Sequence, residues 1–255
     1  MDKRYFSKKI VEWYLRNKRN LPWRDTTDPY KIWLSEIILQ QTRVSQGLPY
    51  YEKFVQTYPT VRSLATAPQD KVMRLWQGLG YYTRARNLHK CSKQIVALLD
   101  GTFPDNFAAL KKLPGVGDYT AAAIASFAFG EAVAVVDGNV FRVLSRIFGI
   151  DAPIDSLQGR HVFIRLANEL ISQDQPGSHN QAVMEFGATF CVPLNPPCYE
   201  CIFKSSCFAF QKGMQSSLPV KAKTKESRIP VMVCWLSSFE KANPVMIKVR
   251  PKPNS

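Results

Sequence analysis

Residues 113–139, LPGVGDYTAAAIASFAFGEAVAVVDGN, constrain this chain more than any other stretch. Pro114 cannot continue a helix ladder and ends the apolar segment before it, while Gly115 and Gly117 open positive φ values and close approach to another molecule. A Gly-Val-Gly turn exposes several N–H groups together, and a helix over residues 120–129 points its positive end at the same place. Such a turn can seat a phosphate. Beyond the helix stands Asp137, followed by Gly138 and Asn139. Taken alone, Pro-Gly-x-Gly fits an ordinary turn between two core helices better than a phosphate site.

The flanking segments read as helices. Residues 5–15 place Phe6, Ile10, Trp13 and Tyr14 near one face. After Leu21, Pro22, Trp23 and Arg24, an Asp28-Pro29 pair supplies an N-cap and a first-turn proline for a helix running to about Thr42. Its stripe is Tyr30, Trp33, Leu34, Ile37 and Ile38, and Glu36 lies off that stripe between Ile32 and Leu39. A carboxylate in that company resists ionisation, as a general acid near neutrality must. Residues 78–90, with two glycines, Tyr81, Tyr82, Arg84, Arg86, His89 and Lys90, suit a nucleic-acid surface or a helix start packed by tyrosines. Further helices are expected over residues 140–148, 157–172 and 178–190, with His161 and His179 isolated and given no ligand role. Continuous helical signal to residue 210 predicts an all-α domain.

A net charge of +14 and a pI near 9.6 point to a polyanionic partner, most economically nucleic acid. The charged N-terminal residues do not read as a signal peptide, and no apolar run approaches the length of a membrane span, so the expectation is a soluble, cytoplasmic protein with no membrane partner. Of the six cysteines, Cys191, Cys198, Cys201 and Cys207 crowd into one segment with spacing C-x6-C-x2-C-x5-C. A reducing compartment and a metal site fit that distribution better than a disulfide framework. Four thiolates suit tetrahedral zinc or an iron-sulfur cluster, and the chemistry alone does not choose.

Over residues 5–210 these motifs resemble the helix-hairpin-helix DNA glycosylases related to endonuclease III, and more closely the MutY-type adenine glycosylases. The resemblance implies a helix-hairpin-helix glycosylase fold with a 4Fe-4S cluster on the four cysteines, zinc being the alternative, and monomeric action on duplex DNA containing a mispaired adenine. It implies that Glu36 protonates adenine at N7, that Asp137 stabilises or transiently traps the sugar cation, and that Asn139 orients Asp137. Gln41 and Tyr81 would fill the gap left by the extruded base, while Gly115, Val116, Gly117 and Thr120 would hold the backbone. Trp23, Arg24 and Gln181 would contact the base. Strand-cutting relatives carry a Schiff-base lysine where this chain has Tyr119, so a monofunctional enzyme that leaves an abasic site is expected, with Tyr119 near the sugar. Relatives that remove thymine or uracil also suit Tyr119, and a non-catalytic DNA-binding protein is a further alternative. Glu36 favours adenine, whose basic ring nitrogen profits from a proton donor. Glu36 and Asp137 together argue for catalysis.

Residues 211–228 read as a basic linker. From Pro230 the period changes: Val231, Val233 and Trp235 alternate, then Val245, Ile247 and Val249 alternate after a turn-like Lys241-Ala242-Asn243-Pro244. Residues 229–255 thus resemble the truncated start of a NUDIX-like domain with which MutY proteins read 8-oxoguanine opposite adenine. The expectation is retained adenine excision with a weakened preference for 8-oxoguanine over guanine as the opposite base.

Overall fold

Helix α1 (Lys3–Asn17) starts at Asp2, whose carboxylate accepts from the Arg4 N–H, and buries Phe6, Ile10, Val11 and Tyr14. In the computed structural model, which describes residues 2–222, a 3-10 turn (Pro22–Arg24) and α2 (Pro29–Leu39) follow. Asp28 caps α2 as its sequence predicts, accepting from the Tyr30 N–H. Next come α3 (Val44–Thr57), α4 (Val61–Thr66), α5 (Gln69–Leu75), α6 (Thr83–Leu99) and α7 (Phe107–Leu110). The hairpin leads into α8 (Asp118–Ala128), then α9 (Gly138–Phe148), α10 (Leu157–Leu170), α11 (Pro176–Thr189) and α12 (Phe208–Lys212). No strand occurs among the described residues, in keeping with the all-α expectation.

Two apolar cores organise these helices. One gathers Trp33, Phe54, Leu64, Trp76, Leu88, Ile95 and Ile124 from α2 to α8. The other joins Phe6 and Ile10 of α1 to Val143, Phe163, Phe186 and Phe203, so the first helix packs with the last ones. Helix α8 touches both sides, packing on α2 and on α11. It is the wall they share.

Three boundaries differ from the sequence expectation. Helix α2 stops at Leu39, and Gln41 lies beyond it in the left-handed region at φ 55°. Helix α8 starts at Asp118, with Gly117 as its N-cap in extended backbone at φ −92°, so only Gly115, at φ 77°, uses the positive φ that glycine permits. The body also extends through residues 211–222, the first part of the expected linker. Gly213 turns the chain back after α12, Leu218 is buried, the Ile154 N–H donates to the Val220 carbonyl at 3.0 Å, and the Ala222 N–H donates to Asp155 Oδ1 at 2.8 Å. A basic stretch with one well-placed leucine is thereby a packed strap. The rest of the expected linker and the β-type tail of residues 229–255 lie outside the described residues. Leu218→Ala will lower unfolding free energy by about 2–5 kcal/mol in urea titrations of the purified chain, the cost of removing a buried leucine side chain. A midpoint equal to wild type would return residues 211–222 to the linker.

Candidate active site

Helix α2 is buried on nearly every side, and this puts Glu36 in the interior at 8% exposure. Burial raises its carboxyl to about 7, opposed by a hydrogen bond from Tyr119 and by Arg24, and reinforced by the charge of Asp137. Tyr119, from the first turn of α8, is pushed well above its ordinary value by burial and by the two neighbouring carboxylates, so it stays a phenol and donates to Glu36. The acid expected from sequence therefore has both its burial and a fixed partner.

Asp137 is the N-cap of α9: Oδ1 accepts from the Val140 N–H at 2.8 Å and Oδ2 from Asn139 Nδ2 at 2.9 Å. Burial raises its carboxyl despite these bonds and the charge of Arg142. Asn139 thus orients Asp137, and it is held in turn, since Arg142 Nη2 donates to Asn139 Oδ1 at 2.8 Å. The same guanidinium donates to the Gly187 and Cys191 carbonyls. Gly187 is required here, because a Cβ at that position would lie 2.7 Å from the Asn139 Cβ.

Glu36 and Tyr119 stand where two hollows meet. The outer one, about 680 Å³, is lined also by Asp137, Gln41, Tyr81, Arg84 and Asn87. The inner one, about 750 Å³, has Trp23, Arg24, Leu39, Gln181 and Glu185 on its walls. Trp23 is buried edge-on against Tyr51. The Tyr14 hydroxyl donates to Gln181 Oε1, which leaves the amide nitrogen of Gln181 as its unassigned donor. Arg24 is fixed by Glu185, a residue the sequence reading did not single out: Arg24 Nη2 lies 2.7 Å from Glu185 Oε2, and Arg19 grips both oxygens of the same carboxylate. Burial would raise Glu185, but the bonds from Arg19 and Arg24 outweigh it and hold the group down at about 2. The signal for it was present, since Glu185 stands between Met184 and Phe186 in apolar company like that of Glu36.

On the outer face, Gln41 and Tyr81 are both exposed and both left-handed, at φ 55° and 47°. Gly115 presses on Asn87, and a Cβ there would sit 2.9 Å from the Asn87 Cβ. A Cβ on Gly117 would meet nothing, which leaves the turn open to an incoming chain. Val116 and Thr120 differ from expectation: both side chains are buried, the Val116 N–H donates to the Leu113 carbonyl, and the Thr120 hydroxyl accepts from Gln40 Nε2 at 3.3 Å. What the turn presents outward is backbone, and the start of α8 carries no side-chain cap. Arg84 and His89, in the stretch left open between a nucleic-acid surface and a packed helix start, both turn inward. His89 is buried, and the Arg84 guanidinium donates inward to main-chain carbonyls.

The four cysteines follow α11 and end at the N-cap of α12, and together they line one pocket with Phe186, Phe190 and Phe210. Burial raises the thiols of Cys191 and Cys207 and takes Cys201 to about 12. Arg146 holds the loop by donating to the carbonyls of Val192 and Pro193 and to Cys191 Sγ at 3.6 Å. The thiols ring the pocket, and among the described residues no three histidine, cysteine or carboxylate side chains converge on one ion position.

Residues 34–161, from α2 into α10, match the family model described as the HhH-GPD superfamily base excision DNA repair protein. The chain belongs to this superfamily. It is 41% identical over 244 residues to an adenine DNA glycosylase of Mus musculus, covering 91% of this chain and 47% of that protein. An adenine DNA glycosylase of Buchnera aphidicola subsp. Baizongia pistaciae is 36% identical over 246 residues, covering 96% of this chain and 69% of that protein. The chain spans about half the length of the mouse relative. Among solved structures, a thermostable thymine-DNA glycosylase superposes with a TM-score of 0.76 at 30% identity, over 82% of this chain and 97% of that one. An endonuclease III–DNA complex shares the fold at a TM-score of 0.70 and 21% identity, over 84% of this chain and 99% of that one. Residues 34–161 hold Glu36, Tyr81, Tyr119 and Asp137, whereas Arg24, Gln181, Glu185 and the cysteine loop fall outside them. No helix among the described residues is long and apolar enough to cross a membrane.

Proposed function

We propose that the chain is a monofunctional DNA glycosylase that extrudes adenine opposite guanine or 8-oxoguanine and hydrolyses its N-glycosidic bond in base excision repair. The single observation carrying this reading is the pairing across one cleft of Glu36, raised to about 7, with Asp137 at the cap of α9. Cleavage of an N-glycosidic bond needs a proton for the leaving base and a negative charge for the oxocarbenium-like sugar. Glu36 donates to N7 of adenine, the C1′–N9 bond breaks with its electron pair going to the base, and Asp137 stabilises the cation until water adds at C1′ and returns a proton to the Glu36 carboxylate. Tyr119 holds the Glu36 proton donor in register and supplies no amine, so no Schiff base forms and the strand stays intact. The base sits in the inner hollow between Trp23 and Arg24, with the Gln181 amide facing its acceptor nitrogens. Outside, Gln41 and Tyr81 occupy the vacated stack, and the N–H groups around Gly115 and Gly117 hold a phosphate. Relatives named adenine DNA glycosylases support this reading.

A 4Fe-4S cluster is the cofactor proposed for Cys191, Cys198, Cys201 and Cys207. Four soft donors around one pocket fit it, and Arg146 supplies a compensating charge beside Cys191. When bound, the cluster would cross-link the loop to the end of α11 and the start of α12. The proposed partner is duplex DNA with a mispaired adenine, met by a monomer inside the cell.

Base release decides between this and removal of thymine, which the 30%-identical thymine-DNA glycosylase keeps in view. Duplexes with adenine opposite 8-oxoguanine, guanine or thymine, and with thymine opposite guanine, will be incubated with the protein, and nicking read before and after alkali. Adenine release that nicks only after alkali is the expected result. Thymine release, or nicking without alkali, would sink the proposal.

A further inference from the structure

Arg84 belongs to a stretch that suits either a nucleic-acid surface or a packed helix start, and its guanidinium turns into the protein. Nη1 donates to the carbonyls of Ile37 at 3.2 Å, Ile38 at 2.9 Å and Gln40, and lies 3.2 Å from Thr42 Oγ1. Nη2 reaches the Leu79 carbonyl at 3.3 Å and that of Gly80 at 3.4 Å. Its Cζ lies 5.2 Å from the centre of the Trp76 ring and 5.6 Å from the centre of the Tyr81 ring. Helix α2 has no basic residue in its last turn, so the carbonyls that end it have no cation of their own. Arg84 supplies one from α6. In doing so it ties together the two segments carrying Gln41 and Tyr81.

Those two residues share a second property. Among the described residues four non-glycine residues have positive φ, and Gln41 and Tyr81 are two of them, both exposed on the outer hollow. Left-handed backbone at such residues persists only where the surroundings over-determine it. The shared surrounding here is Arg84, bonded to the carbonyl before Gln41 and to the carbonyl before Tyr81. It also grips the carbonyls of Ile37 and Ile38, immediately after Glu36.

We propose that Arg84 is a positioning residue that sets Gln41 and Tyr81 in fixed register with each other, so that extrusion of the base, rather than cleavage of its bond, depends on this guanidinium. The proposal rests on the glycosylase reading above. Arg84 is absent from the groups that act on the Glu36 carboxyl, which are Tyr119, Asp137 and Arg24. Lysine cannot replace it, since a point charge lacks the planar fork that spans the two segments.

The test uses the whole chain, wild type and Arg84→Met, in single-turnover release at saturating enzyme. One duplex carries adenine opposite guanine, and a second carries adenine opposite a tetrahydrofuran abasic site, where the base has no partner to leave. Stopped-flow fluorescence of 2-aminopurine in the adenine position reports unstacking. Arg84→Met is expected to slow release from the paired duplex by about 10- to 100-fold, because the gap left by the extruded base is no longer filled in register. The fluorescence rise should slow in parallel, release of the unpaired adenine should stay near wild type, and the alkaline limb of the pH profile should not move. Equal losses on both duplexes, a moved limb, or no loss would overturn the proposal. If Arg84→Met does not fold, Arg84→Lys is combined with Tyr81→Leu. A double variant no slower than the worse single supports a shared role, and additive losses overturn it. Wild-type protein that releases no base from either duplex overturns the glycosylase reading and this proposal with it, whereas wild-type release with an unaffected Arg84 variant overturns this proposal alone.

Discussion

Glu36→Gln will reduce the single-turnover rate of adenine release by about 10²- to 10⁴-fold, the contribution of a positioned general acid, while making the protein more stable at alkaline pH. Both effects come from the same burial. The folded carboxyl titrates at about 7, against an ordinary value of 4.5. Below the lower value both folded and unfolded chains are protonated, and glutamate costs nothing relative to glutamine. Between the two values the unfolded chain loses its proton and the folded chain keeps it, so stability declines as pH rises. Above about 7 the decline is complete, and at about 1.4 kcal/mol per pH unit it amounts to roughly 3 kcal/mol. Thermal melts at pH 9 should therefore place Glu36→Gln several degrees above wild type, and melts at pH 4 should superimpose. In wild type, release should fall as pH rises through about 7, because the proton leaves Glu36, and should also fall in acid as Asp137 takes up a proton. An alkaline limb that survives in another buried-site variant but sits near pH 4 to 5 would remove Glu36 from the acid's role.

Asp137→Asn should be nearly as damaging to release, by about 10³-fold, and modest in stability, because relief of a buried charge offsets the loss of one hydrogen bond. Aspartate at this site does two things: it caps α9 through the Val140 N–H, and it places charge in the cleft. Asparagine is as good an N-cap, so the helix keeps its first turn, while alanine loses the cap at a cost of about 1 kcal/mol. The pair of variants separates the roles. With one oxygen in place of two, an asparagine that keeps the Val140 cap turns its amide nitrogen toward Asn139 Nδ2, so the bond that Asn139 gave to Oδ2 is lost. Unfolding midpoints for Asp137→Asn near wild type, with release lost, are the expected outcome. Release within tenfold of wild type would mean that Asp137 is only a cap, and the chemistry would need another carboxylate.

What could be read from the sequence was what local chemistry writes down. The Asp28-Pro29 start, the end of α9 at Phe148 and the apolar surroundings of Glu36 each involve residues a few positions apart, and each stands as expected. The contacts that escaped it run between distant segments. Glu185 meets Arg19 across 166 residues of chain, and Arg84 meets the end of α2 across more than 40. A cation in a polar, aromatic stretch looks the same whether it faces a phosphate or a helix terminus, because both present oxygen. The strap over residues 211–222 escaped for a related reason: one buried leucine among basic and polar residues leaves no periodic trace. Residues 115–117 were half legible, since glycine spacing marks a turn without saying which glycine bears the left-handed backbone.

The pairing of the first helix with the last ones sets an order on biosynthesis. Phe6 of α1 stacks on Phe203, at 5.2 Å between ring centres, although the ribosome must add nearly the whole body between them. At roughly 5–20 residues per second, α1 waits about 10–40 s for its partner aromatic, with Phe6, Ile10 and Tyr14 in water. The core built from α2 to α8 needs nothing from the C-terminal end and can close during that interval. The nascent chain therefore carries a finished half and an amphipathic helix still waiting for its partner.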